Sequence, residues 1–328
     1  MIVLSVVLGA LAAQAPAAAR ADTTPPKAAV ESPYLIWSGT LGLAATLTMP
    51  RGVAGPVPVA VIIAGSGPTD RNGNSLMGGI RPNSYAQLAW RLAERGIATL
   101  RYDKRGMPGT QGTFDIRTMT LEDFAGDARA AAESLARDAR FSRVVLVGHS
   151  EGASLALMAA RQGAPVAGVV HVSGLGRPLG QVMREQLSRQ FDSATLVRYD
   201  TAMKYYLRGE QPADVPEQLA MLFVPVNQTF MRSLAAFDAP ATIRAVRQPV
   251  LIVQGETDLQ ATVADAQRLH AARPDARLVL LPETNHVLKH IADTTLAGQM
   301  GTYQDPGVAI VPEATRAIAD WILALRGR

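Results

Sequence analysis

Residues 144–153 read VVLVGHSEGA. Val144 to Val147 form an apolar run suited to a buried strand, and Gly148-His149-Ser150-Glu151-Gly152 then turns the chain. Ala153 to Ala160 reads as a helix closed by Gly163. A serine between two glycines at a strand-to-helix turn is the spacing that lifts a hydroxyl above a sheet. Such a turn strains the serine backbone, and the missing Cβ atoms let neighbouring chain approach. The N–H of Glu151 opens the helix, where it can face developing negative charge. With 28 glycines in 328 residues the string alone carries little; the strand before it and the helix after it carry the reading.

Outward from this turn, strands and helices alternate. Tyr34 to Thr48 reads as two short strands, Val57 to Ala64 as a buried central strand and Ile97 to Tyr102 as another. Tyr85–Arg95 and Leu121–Arg137 are the helices between, and Val166 to Ser173 is a further strand. The alternation stops from Leu175 to about Val246. That stretch holds helical patterns at Leu179–Phe191, Ala194–Leu207, Pro216–Phe223 and Val226–Ala236, broken by Gly209 and several prolines. It resumes with a strand at Pro249–Gln254, a helix near Val263–Ala271, a strand at Arg277–Leu281 and a helix at Pro312–Leu325. The expected fold is α/β: a doubly wound, mostly parallel sheet, with a core over 34–174 and 247–328. The helical insertion at 175–246 is expected to cap it. Met203, Tyr206 and Phe223 in that insertion are expected either in the cap's own core or against substrate.

Composition narrows the function classes. The chain has 48% hydrophobic and 18% charged residues, a net charge of +4 and no cysteine. Disulfides and thiolate metal sites are excluded, no dense basic block supports nucleic-acid binding, and five scattered histidines lack metal-ligand spacing. Residues 1–21 resemble a secretory signal peptide, with an apolar run from Met1 to Ala13 and a small-residue site at Ala19-Arg20-Ala21. The expectation is a periplasmic or secreted protein with no membrane attachment once the leader is cleaved. An uncleaved anchor is the alternative, because no positive charge follows Met1.

A serine nucleophile needs a base within reach and a carboxylate to orient that base. The strand ending at Gln254 exits into Gly255-Glu256-Thr257-Asp258, and the strand ending at Leu281 exits into Pro282-Glu283-Thr284-Asn285-His286. Ser150, Asp258 and His286 thus stand in chain order on successive strand exits, with Glu256 the competing acid and His290 the fallback base. His171 is expected to be a satisfied core histidine, and His149 to point away from the reacting carbon. Gly65-Ser66-Gly67, after the early central strand, supplies a second oxyanion donor: the N–H of Ser66 first and of Gly67 second. Gly65 and Gly67 let the backbone approach the substrate.

From about Tyr34 to its end the chain resembles the α/β-hydrolase superfamily, and within it bacterial exported hydrolases of the serine aminopeptidase-like or carboxylesterase-like group. The residues carrying this are GSGPTDRNGN at 65–74, YDKRG at 102–106, GHSEG at 148–152, GETD at 255–258 and NHVLK at 285–289. The resemblance implies a sheet of about eight strands, a helical cap and no cofactor. It makes Asp70, Arg71 and Asn72 loop-ordering residues beside the oxyanion hole, and Asp103 and Arg105 an ion-paired turn. The expected activity is hydrolysis of a small carboxylic ester. The runner-up is an aminopeptidase acting on a short peptide, which needs a carboxylate for the substrate's α-amine; Glu151, Glu210, Asp214 and Glu217 are candidates. An acyltransferase and a catalytically silent binding protein follow. Oligomeric state is not readable from the sequence.

Overall fold

Along the central strands the side chains alternate between two apolar layers. Val59, Val61 and Ile63 enter one core and Ala60, Ile62 and Ala64 the other; Val144 and Leu146 part in the same way from Val145 and Val147. Strands buried on both faces need helices on both faces. The computed structural model describes residues 20, 21, 23–76 and 78–325, so nearly all of the candidate leader lies outside the described residues.

The strands are β1 (Ala29–Ser38), β2 (Leu41–Pro50), β3 (Val57–Ile63), β4 (Ala98–Tyr102), β5 (Phe141–His149), β6 (Gly168–Val172), β7 (Val250–Gly255) and β8 (Arg277–Leu281). They form one eight-stranded sheet in the order β1-β2-β4-β3-β5-β6-β7-β8. β1 and β2 make an antiparallel hairpin and β2 pairs antiparallel with β4; every other pairing is parallel.

Helices α1 (Ser84–Ala93), α2 (Leu121–Ala136) and α3 (Glu151–Arg161) follow β3, β4 and β5. α2 begins in a capping box, where Thr120 and Asp123 satisfy each other's backbone N–H groups. After β6 come α4 (Leu179–Ser188), α5 (Ser193–Leu207), a tighter 3-10 stretch at Glu217–Phe223 and α6 (Gln228–Ala235). These bury a small core of their own. Arg177, where this insertion begins, holds Asp265 of the later core through Nε and Nη2 at 3.0 and 2.9 Å, anchoring its near end. α7 (Ala239–Ala245) already sends Ala239 and Ile243 into the main core, so the chain rejoins the core inside the stretch read as cap. α8 (Val263–Ala272), α9 (Leu296–Gln304) and α10 (Pro312–Ala324) complete the fold. α7 and α9 were not expected from the sequence. α7 is only seven residues long, and α9 carries Gly298 and Gly301 with no clear apolar stripe.

Two glycines hold the β5–α3 turn together. A Cβ on Gly148 would stand 2.1 Å from the carbonyl oxygen of Gly152, and one on Gly152 would stand 2.2 Å from that of Ile63. Gly126 in α2 has nothing within 4 Å of its would-be Cβ. Denaturant unfolding should therefore separate them. Gly152→Ala is expected to cost about 3 kcal/mol or more through forced backbone displacement. Gly126→Ala should stabilise by about 0.5–1 kcal/mol through helix propensity. Equal effects at the two positions would contradict the crossing as the cause.

Candidate active site

Strand order reverses between β3 and β5: β3 is followed in sequence by its neighbour on one side, β4, and then the chain crosses to β5 on its other side. A crevice opens at the carboxyl ends of such a strand pair. The loop after β3 and the turn after β5 meet in it. Ser150 sits at φ 56°, ψ −123°, a conformation that non-glycine residues rarely adopt. Gly65 faces it so closely that a Cβ there would lie 3.2 Å from the Ser150 Cβ.

Two loops further along the sheet bring in the acid and the base. Asp258 is fully enclosed, and its Oδ1 accepts from the N–H groups of Gln260 (2.7 Å) and Ala261 (3.1 Å). Its Oδ2 accepts from His286 Nδ1 (2.8 Å) and Gln254 Nε2 (3.1 Å). Burial alone would raise this carboxyl's pKa; the neighbouring imidazole and the two backbone donors outweigh it and hold it below the usual value. Asp258 is thus a carboxylate, and a carboxylate on Nδ1 leaves the other ring nitrogen, Nε2, to act as base. Among the described residues Nε2 is buried without a hydrogen-bond partner. His286 lines the same small cavity as Ser150, Ser66 and Glu151. Glu283 and Leu288, either side of His286, take positive φ (46° and 62°), so the base is carried on a strained loop. Glu256, the competing acid, is exposed, and His290 is an exposed partner of Glu283.

His149 has a part that its motif did not reveal. A carbonyl can only accept, so the 2.7 Å contact of Nε2 with the backbone oxygen of His286 puts the proton on Nε2. Nδ1 then accepts from the Tyr85 hydroxyl (2.8 Å), and that hydroxyl accepts from the Gly65 N–H (3.0 Å). One buried chain of hydrogen bonds thereby joins the β3 loop, the serine turn and the histidine loop. Burial, reinforced by the nearby His286, pushes the His149 pKa down to about 3, and burial raises that of Tyr85. Spacing gives no hint that Tyr85 belongs here.

The polar motifs after β3 and β4 interlock. Arg71 grips Asp103 with its N–H (2.8 Å), Nε (3.1 Å) and Nη2 (2.6 Å), and Arg101 reaches Asn72. Asp70 accepts from the N–H groups of Asn72 and Asn74, both at 2.8 Å. Asp103 and Arg105 are both ion-paired but not to each other, since Arg105 binds Asp127 at 2.6 Å. Lys104 donates to Glu151 Oε1 (2.6 Å) and to the Gly65 carbonyl (3.2 Å), a buried pair directly behind the serine.

The structure therefore gathers Ser150, Asp258, His286, Ser66, Glu151 and Gly65, with Gly67 on the wall of an adjoining cavity of about 270 Å³. It does not bring Met203, Tyr206 or Phe223 to either cavity. These three fill the cap's own core, where Tyr206 donates to the Val224 carbonyl and its ring meets Phe223 edge-on. The larger cavity is lined instead by Met221, Leu222, Phe230 and Met231, of which Leu222 and Met231 also pack in that cap core. His171 is buried as expected but not satisfied: among the described residues neither ring nitrogen has a partner. No group of three or more metal-ligating side chains is gathered among the described residues.

Comparison with known proteins shows the family of the chain, the alpha/beta hydrolases. Residues 60–293 match the model of the alpha/beta hydrolase family. Esterase EstD of Thermotoga maritima is 28% identical over 263 residues, covering 75% of this chain and 58% of that protein, so the match spans little more than half of that relative's length. The 2-(acetamidomethylene)succinate hydrolase of Mesorhizobium japonicum is 26% identical over 236 residues, 65% of this chain and 81% of that one. Among solved structures, the Pyrococcus furiosus esterase Pf2001 superposes with a TM-score of 0.60 at 15% identity, covering 95% of this chain and 97% of that one, a likeness of fold.

The two buried histidines make acid stability a test. Burial lowers His149 to about 3 and His171 to about 4, against an ordinary value of 6.5. Both are neutral when folded and take up a proton on unfolding anywhere between those values and 6.5. There the unfolded chain binds more protons, so stability rises with pH across the window and is lost as pH falls. Each histidine contributes a slope approaching about 1.4 kcal/mol per pH unit. Urea unfolding from pH 6.5 to 5 should show this decline, and His171→Leu should remove roughly half of the histidine share. Stability that is flat with pH would contradict neutral burial of both.

Proposed function

We propose, for a chain that belongs to the alpha/beta hydrolase family, that it is a hydrolase and more narrowly a serine esterase cleaving a carboxylic ester through an acyl-enzyme. One observation carries this reading. His286 has Nδ1 held by a buried carboxylate and Nε2 without a partner among the described residues, and it shares a cavity with a serine in the strained conformation of a strand-to-helix turn.

In this reading Ser150 Oγ attacks the ester carbonyl as His286 Nε2 takes its proton. Asp258 keeps the imidazole in the required tautomer and balances the imidazolium that forms. The N–H groups of Glu151 and Ser66 receive the oxyanion, with Gly67 N–H as second choice to Ser66. The C–O bond to the alcohol breaks as His286 returns the proton to the leaving oxygen. Water activated by the same nitrogen then releases the acid and Ser150.

The aminopeptidase alternative keeps one of its candidate carboxylates near Ser150. Glu210 and Asp214 pair with arginines on the outer cap and Glu217 is exposed; Glu151 lines the cavity at Ser150, with Oε1 on Lys104 and Oε2 without a partner among the described residues, and is the one carboxylate that reading retains. An acyltransferase would form the same acyl-enzyme and differ only in its acceptor. A silent binding protein is separated by labelling of Ser150 with a fluorophosphonate probe. The first assay is p-nitrophenyl acetate hydrolysis. Ser150→Ala should lower kcat by about 10⁴ or more, and Asp258→Asn by roughly 10³–10⁴, with the circular dichroism spectrum unchanged. Undiminished turnover in Ser150→Ala would overturn the assignment.

A further inference from the structure

The two sides of Ser150 differ in chemistry, and the position of His286 says which side is which. This rests on the serine-esterase reading. A base that returns its proton to the leaving oxygen must stand next to that oxygen, so the alcohol lies on the His286 side and the acyl group on the other.

Away from His286 lies the cavity of about 270 Å³, bordered by Gly67, the residue after Ser66, and by Lys104, the partner of Glu151. Met107, Met119, Phe124, Phe230 and Met231 make up much of its wall, and His286 has no part in it. Lys104 and Arg105 also border it, but their charges are spent on Glu151 and on Asp127. Thioether side chains adapt to the shape of an apolar guest. At about 30 Å³ for each water-sized unit, the space holds about nine such units, so a chain or single ring of roughly six to eight carbons fits within it.

The His286 side is small, with Leu175, Met183 and Leu234 on its wall beside glutamine side chains. The cavity at Ser150 holds only about 60 Å³, and Gln260 and Gln186 line it beside His286. Gln186 also lines a further cavity of about 220 Å³, with Arg189, Gln190, Thr294 and Thr295. Two side-chain carbonyls here have no hydrogen-bond partner among the described residues: Oε1 of Gln260, a residue only 4% exposed, and Oε1 of Gln190. The Gln260 amide nitrogen is already engaged, at 3.1 Å from the Tyr303 hydroxyl. A buried carbonyl without a donor is costly, and an alcohol carrying further hydroxyl groups would supply donors.

We propose that the natural substrate class is an amphiphilic ester, a hydrophobic acyl group of about six to eight carbons on a polyhydroxylated alcohol, with Gln260 and Gln190 as its hydroxyl acceptors. Specificity then comes from both ends: apolar burial selects the acyl group, and the unpaired carbonyls penalise an alcohol that lacks hydroxyls.

The test compares kcat/KM for monooctanoylglycerol, methyl octanoate and octyl acetate, with p-nitrophenyl acetate as the control for the triad. The expected order is monooctanoylglycerol above methyl octanoate, with octyl acetate lowest by about tenfold or more. Gln260→Leu and Gln190→Leu should shrink the glyceryl-over-methyl ratio. Phe230→Trp should move the optimum of a p-nitrophenyl acyl series to shorter chains. Met221→Trp, at an exposed position on the cavity rim, should do the same if the first variant does not fold. Octyl acetate equal to or better than monooctanoylglycerol would reverse the two sides and overturn the proposal. A glyceryl-over-methyl ratio that survives both glutamine substitutions would remove them as acceptors. Loss of p-nitrophenyl acetate turnover in the unaltered protein would instead count against the esterase reading itself.

Discussion

The site depends on one crossing of backbone over backbone. The turn after β5 passes so near the end of β3 that side chains at 148 and 152 would overlap the carbonyls of Gly152 and Ile63. This approach puts Ser150 at positive φ and leaves the Glu151 N–H at the free end of α3, beside the loop that begins at Gly65. Ser150 and the candidate oxyanion donors are thus brought together by one steric condition. Strain at Ser150, of order 1–3 kcal/mol, is sustained because apolar layers on both faces hold β3 and β5 in register.

A crossing fixes two loops, but the base arrives from a third, and His149 joins them. Its ring donates to the backbone of the residue that carries the base and accepts, through Tyr85, from the loop that carries the oxyanion donor. The link works only with a neutral imidazole, because a protonated Nδ1 could not accept the Tyr85 hydroxyl. Burial keeps it neutral. A second brace comes from Lys104, whose ammonium holds the Gly65 carbonyl and the Glu151 carboxylate together across the same two loops. A buried ion pair is weak evidence for net stability, but removing either partner would strand a charge behind the nucleophile.

How much of this the sequence held depends on the range of each interaction. The sheet was legible because the fully buried strands are runs of valine, isoleucine and leucine bounded by turn residues, as at Val57–Ile63 and Val250–Gln254. Ser150, Asp258 and His286 were legible because each stands just past such a run, and the fold converts sequence order into proximity. Asp258 over Glu256 could not be settled by spacing; two backbone N–H groups and Gln254 settle it in space. The link between Tyr85 and His149 escaped notice because it spans 64 residues and neither residue carries a motif for it. The cap was least legible. Met203, Tyr206 and Phe223 share a helical apolar pattern with the residues that do line the cavity, and periodicity cannot tell a cap's inner core from its pocket wall.

That last ambiguity has a physical root. A cap of four short helical stretches must bury a core of its own before it can present a wall to substrate, and both tasks draw on methionine and aromatic residues. Here the division falls across the structure. α5 gives Tyr199, Met203 and Tyr206 to the interior, whereas α6, one turn apart, gives Met231 to the apolar cavity and Leu234 to the small cavity at Ser150. α6 therefore spans the boundary between the two sides of the nucleophile, while α4 supplies Gln186 to the His286 side. In the proposed reaction the core sets where the ester carbonyl sits, because strand ends and glycine contacts fix Ser150 and the loop beside it. The cap decides what hangs from either side of that carbonyl, and it does so through side chains whose partners are set only when the insertion folds back on the sheet.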